Sequence, residues 1–188
     1  MPEGRIKWYD EKKGYGFRNG SYFPFDSDAM YAYRLSKDDE LKFKRNKKTY
    51  QQIIFEMAGF RWRGEDYILG YRPKNKIKYE VGINYQVGRK FPNKFWPHWK
   101  KLARMLKSCS IQKKFKTVEK YIEWINSCRI IVTSDSLGMH IGLALKKRVI
   151  ILIGSTSSSE IETYGRGVIL KSELNCAPCY KKKKCNIT

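Results

Sequence analysis

Asp135, Ser136, Gly138 and His140 fall within six residues, between two apolar stretches, and together they offer the chemistry needed to hold a phosphate. A hydroxyl, an imidazole and the amides around a glycine can all donate to anionic oxygen, and the positive end of a helix dipole adds to the attraction. The flanking residues must then supply a strand before the turn and a helix after it. Arg129 to Thr133 is a β-branched run that predicts a strand, and Ser134-Asp135-Ser136 carries N-cap chemistry. Met139 to Lys147 has helical spacing, and Val149 to Ile153 is an apolar run that predicts a second strand. The stretch reads as one βαβ unit whose helix starts at the carboxyl end of a strand, where anions bind in open α/β sheets. A capped βαβ turn without a ligand has the same pattern, so spacing leaves both readings open.

The preceding sequence alternates strand and helix signals in a way that would support such a unit. Tyr79 to Val87 predicts a strand that runs into the basic loop Gly88-Arg89-Lys90. Pro97 suits a first helical position, and Trp99, Leu102, Ala103 and Leu106 form one apolar face. Cys109 to Gln112 leaves room for a short strand. Thr117 is placed to cap a helix whose Val118, Tyr121, Ile122 and Ile125 recur at helical spacing. There is no Walker or G-x-G-x-x-G loop and no internal repeat.

Four motifs in order resemble glycosyltransferase family 9, the heptosyltransferase-like enzymes. They are the turn Asp135-Ser136-Leu137-Gly138-Met139-His140 with Ala144-Leu145 and Gly154-Ser155-Thr156, the lysine-containing loop Phe91-Pro92-Asn93-Lys94-Phe95-Trp96-Pro97, the helix Tyr121 to Cys128, and the tail Cys176-Ala177-Pro178-Cys179 with Cys185. The resemblance covers roughly residues 50 to 185. It implies an α/β fold: a Rossmann-like parallel-sheet lobe, the single C-terminal lobe of a GT-B type fold, with a short β-rich N-terminal appendage. It implies a nucleotide-diphosphate sugar bound through Lys94, Asp135, Ser136, Leu137, Gly138, His140 and Thr156, a saccharide or lipopolysaccharide-type acceptor, and no cofactor. The family's catalytic base is expected on an N-terminal lobe, which residues 1 to 76 are too short to form. The general base is therefore unassigned, and donor binding is expected more than rapid turnover.

Charge and cysteine content widen the choice of partners. The chain of 188 residues carries 39 Lys and Arg against 18 Asp and Glu, a net charge of +21. Such a chain attracts polyanions through non-specific electrostatics, nucleic acid included, although a lysine-rich composition can also reflect a genome of low G+C content. Cys176, Cys179 and Cys185 have a spacing that zinc could use only with a fourth ligand, and His98 and His140 are the only histidines. Reduced or oligomer-stabilising thiols are the alternative, and no metal is assigned. With no hydrophobic leader and no apolar run of about 18 residues, the expected location is the cytoplasm, or the inner membrane surface as a peripheral protein.

The N-terminus carries a different motif. Gly4 to Phe17, GRIKWYDEKKGYGF, closely resembles the first two strands of a cold-shock domain. That resemblance implies Trp8, Tyr15 and Phe17 as a stacking platform for bases, with Lys7, Lys12 and Lys13 at the backbone. The match fades after Phe17, and one strand pair cannot close a barrel. Residues 26 to 49 are polar and read as a connector with a short strand or turn. The expected organisation is a β-rich segment over residues 1–49 and the nucleotide-sugar-binding lobe, with its cysteine-rich tail, over residues 50–188. Nucleic-acid binding through the aromatic N-terminus and basic surface remains the alternative function.

Overall fold

A computed structural model describes residues 6–10, 15–18, 21–23, 31, 34, 35, 37, 38, 40–58, 60–89 and 91–180. The chain packs as two compact units, one of residues 1–65 with 159–162, the other of residues 66–158 with 163–188.

In the first unit, β1 (Ile6–Asp10), β2 (Tyr15–Arg18) and β3 (Ser21–Phe23) form a three-stranded antiparallel sheet in sequential order. The sequence suggested two of these strands. Part of the expected connector is ordered instead as a π-helical turn, Leu41–Arg45, and Asp38 accepts a hydrogen bond from the amide of Leu41 at 2.9 Å. Asn46 is buried there because its side chain accepts from Tyr31 Oη at 2.7 Å and from the Lys48 amide at 3.0 Å. Helix α1 (Tyr50–Met57) follows, capped by Thr49, which accepts from the Gln52 amide.

The second unit is a Rossmann-like α/β lobe, the fold class that the sequence predicts. Its sheet contains β4 (Tyr79–Asn84), β5 (Cys109–Ile111), β6 (Cys128–Ser134), β7 (Arg148–Ile153) and β8 (Gly167–Lys171), all parallel, in the order β5-β4-β6-β7-β8. Helices α2 (Trp99–Met105), α3 (Val118–Asn126) and α4 (Leu137–Ala144) make the crossovers. Strand alternation decides what each face buries. Ile83 and Val132 pack with Trp99 and Leu102 of α2 and with Ile150 and Leu152. Ile131, Val149 and Ile151 are buried on the opposite face, which α4 approaches closely enough that a Cβ on Gly142 would lie 3.1 Å from Val149 Cγ2. Each fully buried aliphatic side chain contributes about 1.5–3 kcal/mol, so these two layers hold the sheet rigid beneath its loops.

Strand order also locates the crevice. The chain steps from β4 outward to β5, then returns across β4 to β6, so β4 and β6 are the neighbours from which connections leave in opposite directions. That is the topological switch point, where open α/β sheets bind ligands beyond the strands' carboxyl ends. Asn84 and Thr133 are paired across it.

Candidate functional site at the switch point

Asn84 is the centre of the crevice. Its amide nitrogen donates to Thr133 Oγ1 at 2.7 Å and to Ser136 Oγ at 2.9 Å, and its carbonyl oxygen accepts from the hydroxyl of Tyr121. Both amide hydrogens are thereby used. Tyr121 is positioned by rings from its own helix and the loop before it: it stacks on Phe115 with centroids 5.2 Å apart and on Trp124 at 6.0 Å. Burial pushes the Tyr121 hydroxyl well above the usual phenol range, and the hydrogen bond to Asn84 opposes this without cancelling it. It is therefore a fixed donor at neutral pH.

This network changes what Ser136 does. Ser136 occupies the N-cap of α4, as its sequence position predicts, but its side chain makes no capping bond. The hydroxyl is drawn instead toward Asn84 and Thr133, the latter at 3.1 Å. The helix end is thus left without a side-chain cap, and its first-turn amides keep the positive partial charge that attracts an anion. Gly138 permits the approach. A Cβ there would stand 2.5 Å from Asn84 Nδ2 and 2.6 Å from Asn84 Cγ, so any larger residue would push the helix off the network. Leu137 is 58% exposed and points away from the core.

Charge is arranged beside this helix end. Lys94 Nζ lies 2.6 Å from Asp135 Oδ2, with the two side chains 18% and 19% exposed. Thr156 donates to the same carboxylate oxygen at 2.9 Å. Lys94 is held in the short 3-10 turn Pro92–Lys94, with its ammonium 5.1 Å from the ring centroid of Phe91. Trp96 then anchors the loop edge-on to Trp99 at 5.3 Å. Helix α2 begins two residues after Pro97, at Trp99, because the proline sits in the turn ahead of His98, the N-cap residue. An open cleft of about 390 Å³ borders Lys94 and Trp96 and extends between the ends of β7 and β8 to Lys171 and Ser172.

His140 faces the same charges. It is half-buried, and desolvation lowers its pKa below the ordinary histidine value, opposed by Asp135 and reinforced by Lys94. Its Nδ1 lies 2.6 Å from the hydroxyl of Tyr67.

The lobe thus brings Lys94, Asp135 and Thr156 into contact and places Ser136, Gly138 and His140 on the adjacent helix end. Sequence inspection missed Asn84, Tyr121 and Tyr67; the strand expected over Tyr79 to Val87 ends instead at Asn84, and a polar residue within that expected strand was the only local signal. The cysteine tail has a role that its motif did not suggest. The amides of Cys179 and Tyr180 donate to the carbonyl of Ser155 at 3.1 and 2.7 Å, and the Tyr180 hydroxyl accepts from the Ser157 amide at 3.0 Å. The tail therefore pins the loop that carries Thr156. Cys176 is exposed, Cys179 is half-buried and both are free thiols, while Cys185 lies outside the described residues. Among the described residues no group of three His, Cys, Asp or Glu could hold a metal ion, and no helix is long and apolar enough to cross a membrane. For the nucleic-acid alternative, Lys12, Lys13 and the side chains of Lys7, Trp8, Tyr15 and Phe17 lie outside what is described.

A parallel α/β lobe with a strand-turn-helix crevice at its switch point belongs to the open, Rossmann-like α/β class, whose ligands bind at that crevice. Residues 116–187 match the family model of glycosyltransferase family 9 (heptosyltransferase), and this region of the chain is glycosyltransferase-like. The match runs from just before α3 through β8 and the cysteine tail, and the loop with Lys94 precedes it. Comparison with curated proteins and with solved structures gave no match.

Proposed function

We propose that this lobe binds a nucleotide-diphosphate sugar at the turn of residues 134 to 140 and presents it for transfer to an acceptor hydroxyl. The observation that carries the reading is the helix end at the switch point, left uncapped by Ser136 and flanked by Lys94, within a family 9 region. The amides around Gly138 and the Ser136 hydroxyl would cradle the diphosphate, with Lys94 and His140 donating to its oxygens and Asp135 and Thr156 orienting Lys94. In the transfer, an acceptor oxygen bonds to the anomeric carbon, the bond from that carbon to the diphosphate breaks, and the hydroxyl proton passes to a base. Preorganised donors stabilise the charge that grows on the departing diphosphate. The base is not assigned to a residue. Residues 50 to 188 would be the donor lobe with its tail and residues 1 to 49 a β-rich appendage, with α1 packing in the first unit. A saccharide or lipopolysaccharide-type acceptor fits the basic chain, as does a cytoplasmic or peripheral inner-membrane location.

Calorimetric titration with ADP, UDP and their sugar conjugates tests this. Wild type should bind at least one of them, and Lys94→Ala should weaken that binding by about 10-fold or more, the scale of one charge-assisted hydrogen bond. Equal binding by both proteins would remove Lys94 from the site.

The second reading is nucleic-acid binding. It is favoured by the antiparallel β1-β2-β3 sheet that carries the cold-shock-like motif and by the net charge of +21.

A further inference from the structure

Tyr67 belongs to the extended chain ahead of β4, a stretch that its composition marks only as aromatic-rich. Its hydroxyl lies 2.6 Å from His140 Nδ1, and its ring packs edge-on to the imidazole at 5.8 Å and to Tyr164 at 5.5 Å. The neighbouring residue fixes the register of this contact. Asp66 accepts from both terminal nitrogens of Arg166, at 2.6 and 3.0 Å, and the Arg166 guanidinium lies 4.8 Å from the ring centroid of Tyr164. Arg166 is the more enclosed partner of that pair, with its side chain 18% exposed. A bidentate clamp and two ring contacts thus place one phenol on one ring nitrogen.

The chemistry of that contact selects a tautomer. Burial favours the neutral imidazole. A phenol at neutral pH keeps its proton and donates it, so Nδ1 is the acceptor and the imidazole hydrogen resides on Nε2. Without the phenol, either nitrogen could carry it.

We propose that Tyr67 is a positioning residue that fixes His140 in its Nε2–H form, and so keeps a hydrogen-bond donor on His140 for the phosphate of a nucleotide at the α4 N-terminus. This rests on the donor-binding reading above. It assigns to the chain ahead of the sheet a part in the site.

Nitrogen-15 NMR of histidine-labelled protein tests it, since His98 and His140 are the only two histidines and His140→Ala identifies the signals. Wild type should show His140 as the Nε2–H tautomer, and Tyr67→Phe, which keeps the ring, should show a mixture of tautomers with an unchanged melting temperature to within a few degrees. Tyr67→Phe should also weaken binding of ADP or UDP by about 10-fold. The same substitution in a His140→Ala background should then cost nothing further, because the two residues act as one unit. An Nδ1–H tautomer in wild type, an unchanged tautomer in Tyr67→Phe, or equal losses in both backgrounds would overturn the proposal. If wild type binds neither nucleotide, the donor reading falls and the role at the phosphate falls with it. The tautomer measurement would still decide whether Tyr67 governs His140.

Discussion

Asn84, the last residue of β4, donates to Ser136, the N-cap of α4, at 2.9 Å, across 52 positions of sequence. That bond takes a hydroxyl that would otherwise cap the helix and joins the two neighbouring strands of the switch point to the helix end. Stability and ligand affinity should therefore be coupled at this pair.

Gly138→Ala should destabilise the lobe by about 1–3 kcal/mol, the usual cost of overpacking, because the new methyl would meet the Asn84 amide at 2.5–2.6 Å. Asn84→Ala should also destabilise, since it leaves the buried Tyr121 hydroxyl without its partner and takes a donor from both Thr133 and Ser136. The double variant should lose less than the sum, because removing the amide clears two of the three nearest atoms and releases the third, the Tyr121 hydroxyl, from the bond that holds it there. Urea denaturation of the four proteins measures this, and strict additivity would show that the close approach is not what requires glycine.

Acidification should reveal His140. Its folded pKa lies below the ordinary histidine value, so the unfolded chain binds more protons as the pH falls from about 6.5 toward that folded value. Stability is therefore fully present above the unfolded pKa and is lost as the pH falls below it. His140→Gln should flatten the dependence of urea midpoint on pH between 7.5 and 5.5. An identical slope in both proteins would place the titration elsewhere.

Sugar transfer by this chain assayed alone should be very slow. The first unit presents an antiparallel sheet and no βαβ unit among its described residues, and no base is assigned. Positioning of acceptor and base supplies a large part of any transferase rate. Donor turnover followed by release of nucleoside diphosphate checks this, and rapid transfer would mean that the first unit or a second copy provides the acceptor side.

Oligonucleotide binding should be chiefly electrostatic, set by the net charge of +21. Affinity should fall steeply between low and physiological salt with little base preference, as expected when counterion release dominates. Trp8→Ala with Phe17→Ala should then bind nearly as well as wild type in fluorescence anisotropy. A loss of about 2 kcal/mol or more at physiological salt, the worth of one or two stacked bases, would favour the nucleic-acid reading over the transferase one.

The βαβ unit around residues 129–154 was legible because its information is local. β-branched and apolar runs choose strand or helix within a few residues, and Thr117 marks a helix start by reaching only three residues ahead. The same locality made the polar turn of residues 134 to 140 and the lysine loop visible as motifs. It failed wherever a polar side chain chose a distant partner. Position 136 announces an N-cap, yet the hydroxyl is spent on Asn84 and Thr133, because strand pairing sets Asn84 beside Thr133 at the switch point. Tyr121 shows the helical period of α3, but only the packing of that helix brings its hydroxyl to Asn84, 37 residues away. Tyr67 reaches His140 over 73 residues, a contact no periodicity encodes. The tail is the clearest case: its cysteines suggest thiol chemistry, while its described contacts with the Thr156 loop are made by backbone amides and a tyrosine hydroxyl. Sequence periodicity determined the elements and the chemistry they carry. Sheet order, which depends on burying both faces at once, decided which of those residues meet.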